Sequence, residues 1–158
     1  MRKKLALAAA VAVVALTVGV ASVAFSSPGP KAKPAKPKVH VIEHAVTDTV
    51  IDIGDPGDST GDLLTFHNEL FDSSDSTVVG SDQGECIRID PVEGTWECRW
   101  TNFLDGGQIT VEGPFFDAAD SLVSVTGGTG KYRNVRGEMS LESRLGGTEF
   151  DFIFTLLG

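Results

Sequence analysis

Most of the residue sets in this chain that could do chemistry fail on spacing. The three histidines are His40, His44 and His67. On an extended strand His40 and His44 share a face but stand roughly 13 Å apart, too far to hold one ion, so no metal site is expected. Gly127-Gly128-Thr129-Gly130-Lys131 has the look of a phosphate loop. That motif needs glycine where Val125 stands and Ser or Thr where Tyr132 stands, followed by a helix. The cluster is therefore read as a tight turn with room for positive φ, and no cofactor is expected. Ser81 and Ser124 sit in no nucleophile-elbow context. Lys131, Arg133 and Arg136 form a small basic patch, read as solvated charges or ion pairs.

Two sets remain. Phe66, Trp96, Trp100, Phe115, Phe150, Phe152 and Phe154 either line a ligand cavity or fill a core. Strand parity puts Cys86, Arg88, Cys98, Trp100 and Asn102 on one side of a hairpin. If that side faces inward, Arg88 is a buried cation needing a partner such as Asp48 or Glu43. If it faces outward, Arg88 is merely solvated.

Strands must position these groups. Residues 39–53 are rich in Val, Ile and Thr, with neither glycine nor proline, and predict a long, bent first strand. Neither of its faces is cleanly apolar. Gly54 to Ser59 is a turn by composition. Residues 63–71 predict the second strand, with Leu64, Phe66, Asn68 and Leu70 on one face. The third and fourth, 77–90 and 96–103, flank the turn Asp90-Pro91-Val92-Glu93-Gly94. In the fifth, Ile109 and Val111 alternate with Thr110 and Glu112, and Gly113-Pro114 is expected to end it, because proline cannot donate to a ladder. Residues 122–126 and 135–144 give the sixth and seventh. In the eighth, 149–157, Phe150, Phe152, Phe154 and Leu156 share a face. No segment has helical apolar spacing. Eight strands joined by short turns predict an all-β fold, an up-and-down barrel or a sandwich. Closure removes exposed edges, and eight strands leave an interior just wide enough for a small ligand. Ile87, Ile89, Val123 and Val125 would suit a subunit interface or the inside of the barrel.

The chain has 158 residues. Arg2, Lys3 and Lys4 precede an uncharged stretch from Leu5 to Ser27, and Ser22-Val23-Ala24 is a small-x-small cleavage pattern. Residues 1–24 are read as a secretory signal peptide, with an uncleaved anchor as the alternative. Residues 25–38, rich in proline and lysine, read as a linker or a disordered mature N-terminus. Residues 39–158 are the domain, large enough for one core. Seven of the 13 basic residues precede it, leaving 13 − 7 = 6 against all 22 acidic ones, a formal charge of −16. Such a body repels nucleic acid and anionic lipid. Two cysteines in an exported chain suggest a disulfide. Cys86 and Cys98 lie symmetrically about Val92, so in that hairpin they face each other.

The segments GGQITVEGPF (106–115) and TGGTGKYRNVRGE (126–138), with Gly61-Asp62-Leu63-Leu64-Thr65-Phe66-His67-Asn68, resemble the allene oxide cyclase and dirigent barrels. The resemblance runs from about Gly61 to Leu157. It implies an eight-stranded antiparallel up-and-down β-barrel that holds a small hydrophobic molecule or reactive intermediate, in relatives that are often homotrimers. It places Leu64, Phe66 and Asn68 at pocket positions, Cys86 at a pocket cysteine, and Phe115 where the cyclases carry a tyrosine. The cyclases' first-strand Glu-x-Asn is matched by Glu43 alone, and Asp48 is nearest to the pocket aspartates of dirigents.

Two functions follow as expectations. One is a secreted isomerase-like barrel that guides cyclisation or stereochemistry mainly by orienting its substrate. Phe66, Asn68, Trp100 and Phe115 would shape its pocket, Glu43 or Asp48 would stabilise developing positive charge, and Arg88 would anchor an acid group. The other is a secreted barrel that binds a hydrophobe or stabilises an assembly without catalysis.

Overall fold

Alternating apolar residues bounded by glycine-rich turns make strands here, and every strand but the short Thr49–Ile51 segment finds two neighbours. The computed structural model describes residues 38–157; the signal-peptide reading and nearly all of the linker reading lie outside the described residues. The strands are β1 (Lys38–His44), β2 (Thr49–Ile51), β3 (Leu63–Phe66), β4 (Glu69–Asp72), β5 (Val78–Asp90), β6 (Thr95–Leu104), β7 (Gly107–Phe116), β8 (Ser121–Gly128), β9 (Arg136–Arg144) and β10 (Glu149–Leu157). One 3-10 turn, Gly130–Tyr132, follows the glycine cluster.

β1 and β2 are halves of one bent strand, and β3 and β4 are halves of the next. β1 pairs with β4 and β2 with β3, while β3 and β4 both pair with β5. The sheet then runs antiparallel through β10, which pairs back onto β1. The result is a closed eight-stranded up-and-down barrel, in which only the short β2 segment keeps an unpaired side. The first strand is not continuous over 39–53. It breaks between Ala45 and Asp48, opposite the break at His67-Asn68 in the second.

The inner face follows strand parity. On β10, Phe150, Phe152, Phe154 and Leu156 are buried and alternate with half-buried residues. Each large apolar side chain so buried contributes about 2 kcal/mol. The β5–β6 ladder stacks four inward rungs: Asp82 with Asn102, Gly84 with Trp100, Cys86 with Cys98, and Arg88 with Trp96. Glycine is required at position 84, where a Cβ would stand 2.3 Å from the Cβ of Trp100. Val123 and Val125 are inside, whereas Ile87 and Ile89 are exposed on the outer wall.

Gly113-Pro114 does not end its strand. β7 continues to Phe116, pairing with β6 throughout. Its ladder with β8 stops at Glu112 opposite Ser124. Pro114 is therefore tolerated in a stretch that has lost its ladder on one side.

A candidate ligand cavity in the barrel

The inward rungs enclose a cavity of about 50 Å³ near the middle of the barrel. Phe66, Trp100, Phe150 and Phe152 form an aromatic wall, Leu64 and Leu141 add aliphatic surface, and the Cys86–Cys98 disulfide forms one side. Trp100 packs against Phe66 at 6.2 Å and Phe152 at 5.8 Å between ring centres, within the range of favourable aromatic pairs. The Nε1–H of Trp100 is buried without an acceptor. The disulfide occupies the position of the expected pocket cysteine, so that position offers no thiol.

Phe115 and Phe150 meet edge to face, 5.8 Å apart at 80°. Both also line a recess of about 480 Å³ on the surface, bounded by the residue 116–120 turn and by Gly146 and Gly147. Asp48 lines both spaces. The aromatic pair and Asp48 thus stand where the cavity meets the recess.

The polar end of the cavity depends on Asn68, at the break in the second strand. Its Oδ1 accepts the backbone N–H groups of Val46 and Thr47 at 3.1 and 2.9 Å, fixing the break in the first strand. Its Nδ2 donates to Glu43 Oε1 and to Asp48 Oδ1, both at 2.8 Å. One buried amide therefore holds both cavity carboxyls. Burial pushes the Glu43 carboxyl well above the usual carboxylate range, and the nearby Asp82 carboxyl pushes it further. Asp82 is fully buried on β5, and burial raises it to about 7.

The structure brings Glu43, Asp48, Leu64, Phe66, Trp100 and Phe115 to one cavity, with Asn68 directly behind two of them. Arg88 does not join them, and its partners are neither Asp48 nor Glu43. It is buried at one end of the barrel, where Nε and Nη2 bind Asp58 at 2.7 and 2.8 Å and Nη1 binds Asp117 at 2.6 Å. Its guanidinium lies 4.0 Å above Trp96, whose Nε1–H donates to Asp117 at 2.8 Å. Arg88 ties two loops to the wall instead of facing the cavity. Asp58 and Asp117 come from turns, and no strand periodicity announces a turn residue as a partner. Asp82 has the same parity as Cys86 and Arg88, which is the signal that placed those residues together.

His40 Nε2 pairs with Asp151 Oδ1 at 2.6 Å. His44 Nε2 instead meets Asp75 Oδ1 at 2.8 Å and Glu149 Oε1 at 3.7 Å, a grouping that could reach a cation. Arg144 already lies 3.7 Å from Asp75 and 3.6 Å from both Glu149 and Asp151. In the basic patch, Lys131 is 3.6 Å from Asp105.

A closed eight-stranded barrel with an apolar interior cavity and carboxyls at one end defines the class of protein. The allene oxide cyclase family model matches residues 46–158, and the chain belongs to that family. Among solved structures it is similar to a pyocyanin demethylase, with 28% identity over 76% of this chain and 99% of that one, at a TM-score of 0.66. A pterocarpan synthase dirigent protein shares the fold at 17% identity, covering 85% and 98% of the two chains, with a TM-score of 0.62. The Diels–Alderase AbmU from Streptomyces koyangensis shares it at 16% identity, over 77% of this chain and 63% of that one, with a TM-score of 0.60.

Proposed function

We propose that this barrel encloses a small, largely apolar molecule and guides its cyclisation or stereochemistry by holding it in one reacting shape. The observation that carries the reading is the apolar cavity whose polar end is two carboxyls clamped by one buried amide. Membership of the allene oxide cyclase family supports it. Leu64, Phe66, Trp100 and Phe115 shape the ligand, and orientation supplies most of the effect. Asp48, at the mouth, is the carboxylate placed to face developing positive charge, and Asn68 positions it. Arg88 is not part of this reading as an anchor for an acid group.

The cavity alone is small against the 300–1,000 Å³ of ordinary ligand sites. The ligand would extend through the Phe115–Phe150 pair into the recess, so those rings part when it enters. The export leader and linker belong to the same reading: the barrel works outside the cytoplasm, in an oxidising compartment where its disulfide persists.

The test is extraction of the purified full chain and mass spectrometry of what co-purifies, beside a Leu64→Trp variant that fills the cavity. A small hydrophobic molecule retained by the wild type and lost from Leu64→Trp is expected. Equal, empty extracts, with no hydrophobic dye displaced from either protein, would refute it. The non-catalytic reading draws on the small volume of the cavity. It requires that ligand binding survive Glu43→Gln and Asp48→Asn unchanged.

A further inference from the structure

Asp82 is the buried group that the reading above leaves without work. It points inward from β5, opposite Asn102 and one rung beyond the Gly84–Trp100 rung at the cavity wall. Its side chain has no exposure. Oδ1 takes the backbone N–H of Asn68 at 3.2 Å, while Oδ2 is buried with no donor. A buried, ionised carboxylate with an orphan oxygen is expensive to maintain.

The groups around it do not supply the missing charge. Glu43 on β1 and Asp48 in the β1–β2 connection are both acidic, and both already share the single Nδ2 of Asn68. Asn102 on β6 spends its Nδ2 on the Ile109 carbonyl, and its own Oδ1 is a second orphan acceptor. β4 contributes Leu70 here, and β10 contributes Phe150 and Phe152. No cation is among the groups acting on either Glu43 or Asp82. Two adjoining buried carboxyls cannot both ionise at little cost. One proton kept by the pair removes the repulsion, and on Glu43, whose side chain lines the cavity, it is available to a bound acceptor.

We propose that Asp82 is a positioning residue of the site: it shares one proton with Glu43, so that the pair offers the cavity a hydrogen-bond donor in place of a bare anion. This rests on the cavity being the ligand site. It names the polar end of the ligand as an acceptor, a conjugated carbonyl oxygen or a ring nitrogen, on an apolar body. The buried, unpartnered N–H of Trp100 favours the same kind of group. Complete transfer of the proton would leave two carboxylates side by side. The pair therefore polarises the acceptor through a hydrogen bond and keeps its proton, and every bond made or broken is the ligand's own.

The test uses the full chain with ¹³C-labelled Asp and Glu carboxyls and two probes of matched size, cyclohexenone as acceptor and cyclohexylammonium as cation. In the wild type the Glu43 and Asp82 resonances should titrate together, above the usual carboxylate range, and cyclohexenone should be the preferred probe. In Asp82→Asn, Glu43 should titrate in one step at lower pH, with cyclohexenone weakened about tenfold and the preference between probes reversed. Separate titrations in the ordinary carboxylate range would overturn the inference while leaving the cavity reading intact. Joint titration with an unchanged probe preference in Asp82→Asn would overturn the role in ligand selection. If neither probe binds the wild type, the inference and the ligand site fail together.

Discussion

Replacing Asp82 with asparagine should make the protein more stable at neutral pH, against the usual direction for a buried substitution. The ordinary aspartate value is 3.8, and in the barrel Asp82 is pushed to about 7. The folded state therefore binds more protons than the unfolded chain between those values. Stability is fully present below about pH 4 and falls as pH rises towards 7. At about 1.36 kcal/mol per pH unit, that interval amounts to about 4 kcal/mol. Asparagine occupies nearly the same volume, keeps an acceptor for the Asn68 N–H and cannot ionise. Trp96 and Trp100 are buried, so their fluorescence reports unfolding in urea. The free-energy difference between Asp82→Asn and wild type should rise in favour of the variant by about 4 kcal/mol from pH 4 to pH 8 and then level off. A difference that stays flat across that range would show that Asp82 titrates normally, and the argument from burial would fail.

Arg88→Met should destabilise the barrel by about 3 kcal/mol, read from the urea midpoint, because it removes charged hydrogen bonds to Asp58 and Asp117. An unchanged midpoint would mean that those loops are held by other contacts. Removing the cross-link in a Cys86→Ala/Cys98→Ala variant reopens a loop with a sequence separation of 12, costing about 3 kcal/mol in the same assay. Gly84→Ala places a methyl group against Trp100 and should cost about 2 kcal/mol; near-UV circular dichroism of the tryptophans should change with it.

The barrel was legible wherever one residue type repeated at period two. Phe150, Phe152, Phe154 and Leu156 fix the inner face of β10 without reference to any other strand. The pairing of Cys86 with Cys98 follows from their symmetry about a turn. Pro114 misled because a proline excludes a ladder on one side of a strand only, and the sequence does not say which side lacks a neighbour. The family resemblance pointed to Leu64 and Phe66, which line the cavity, and to Asn68, which stands behind its carboxyls. Asp82 was not, because Ser81-Asp82-Gln83 reads as a solvated stretch until the opposing strand buries it. The partners of Arg88 were hidden for a different reason: Asp58 and Asp117 reach it from turns 30 and 29 residues away in sequence.

The two sides of the cavity also differ mechanically. On one side a covalent rung joins β5 to β6, which prevents those strands from sliding past each other. On the other, β7 beyond Glu112 has a continuous ladder only with β6; past that point Phe116 bridges Ala119 in the turn before β8 and donates its N–H to Ser121 Oγ. Expansion of the interior is thus directional. The wall yields around Phe115, and a guest large enough to strain the barrel displaces the β7–β8 hairpin before it disturbs the cross-linked hairpin opposite.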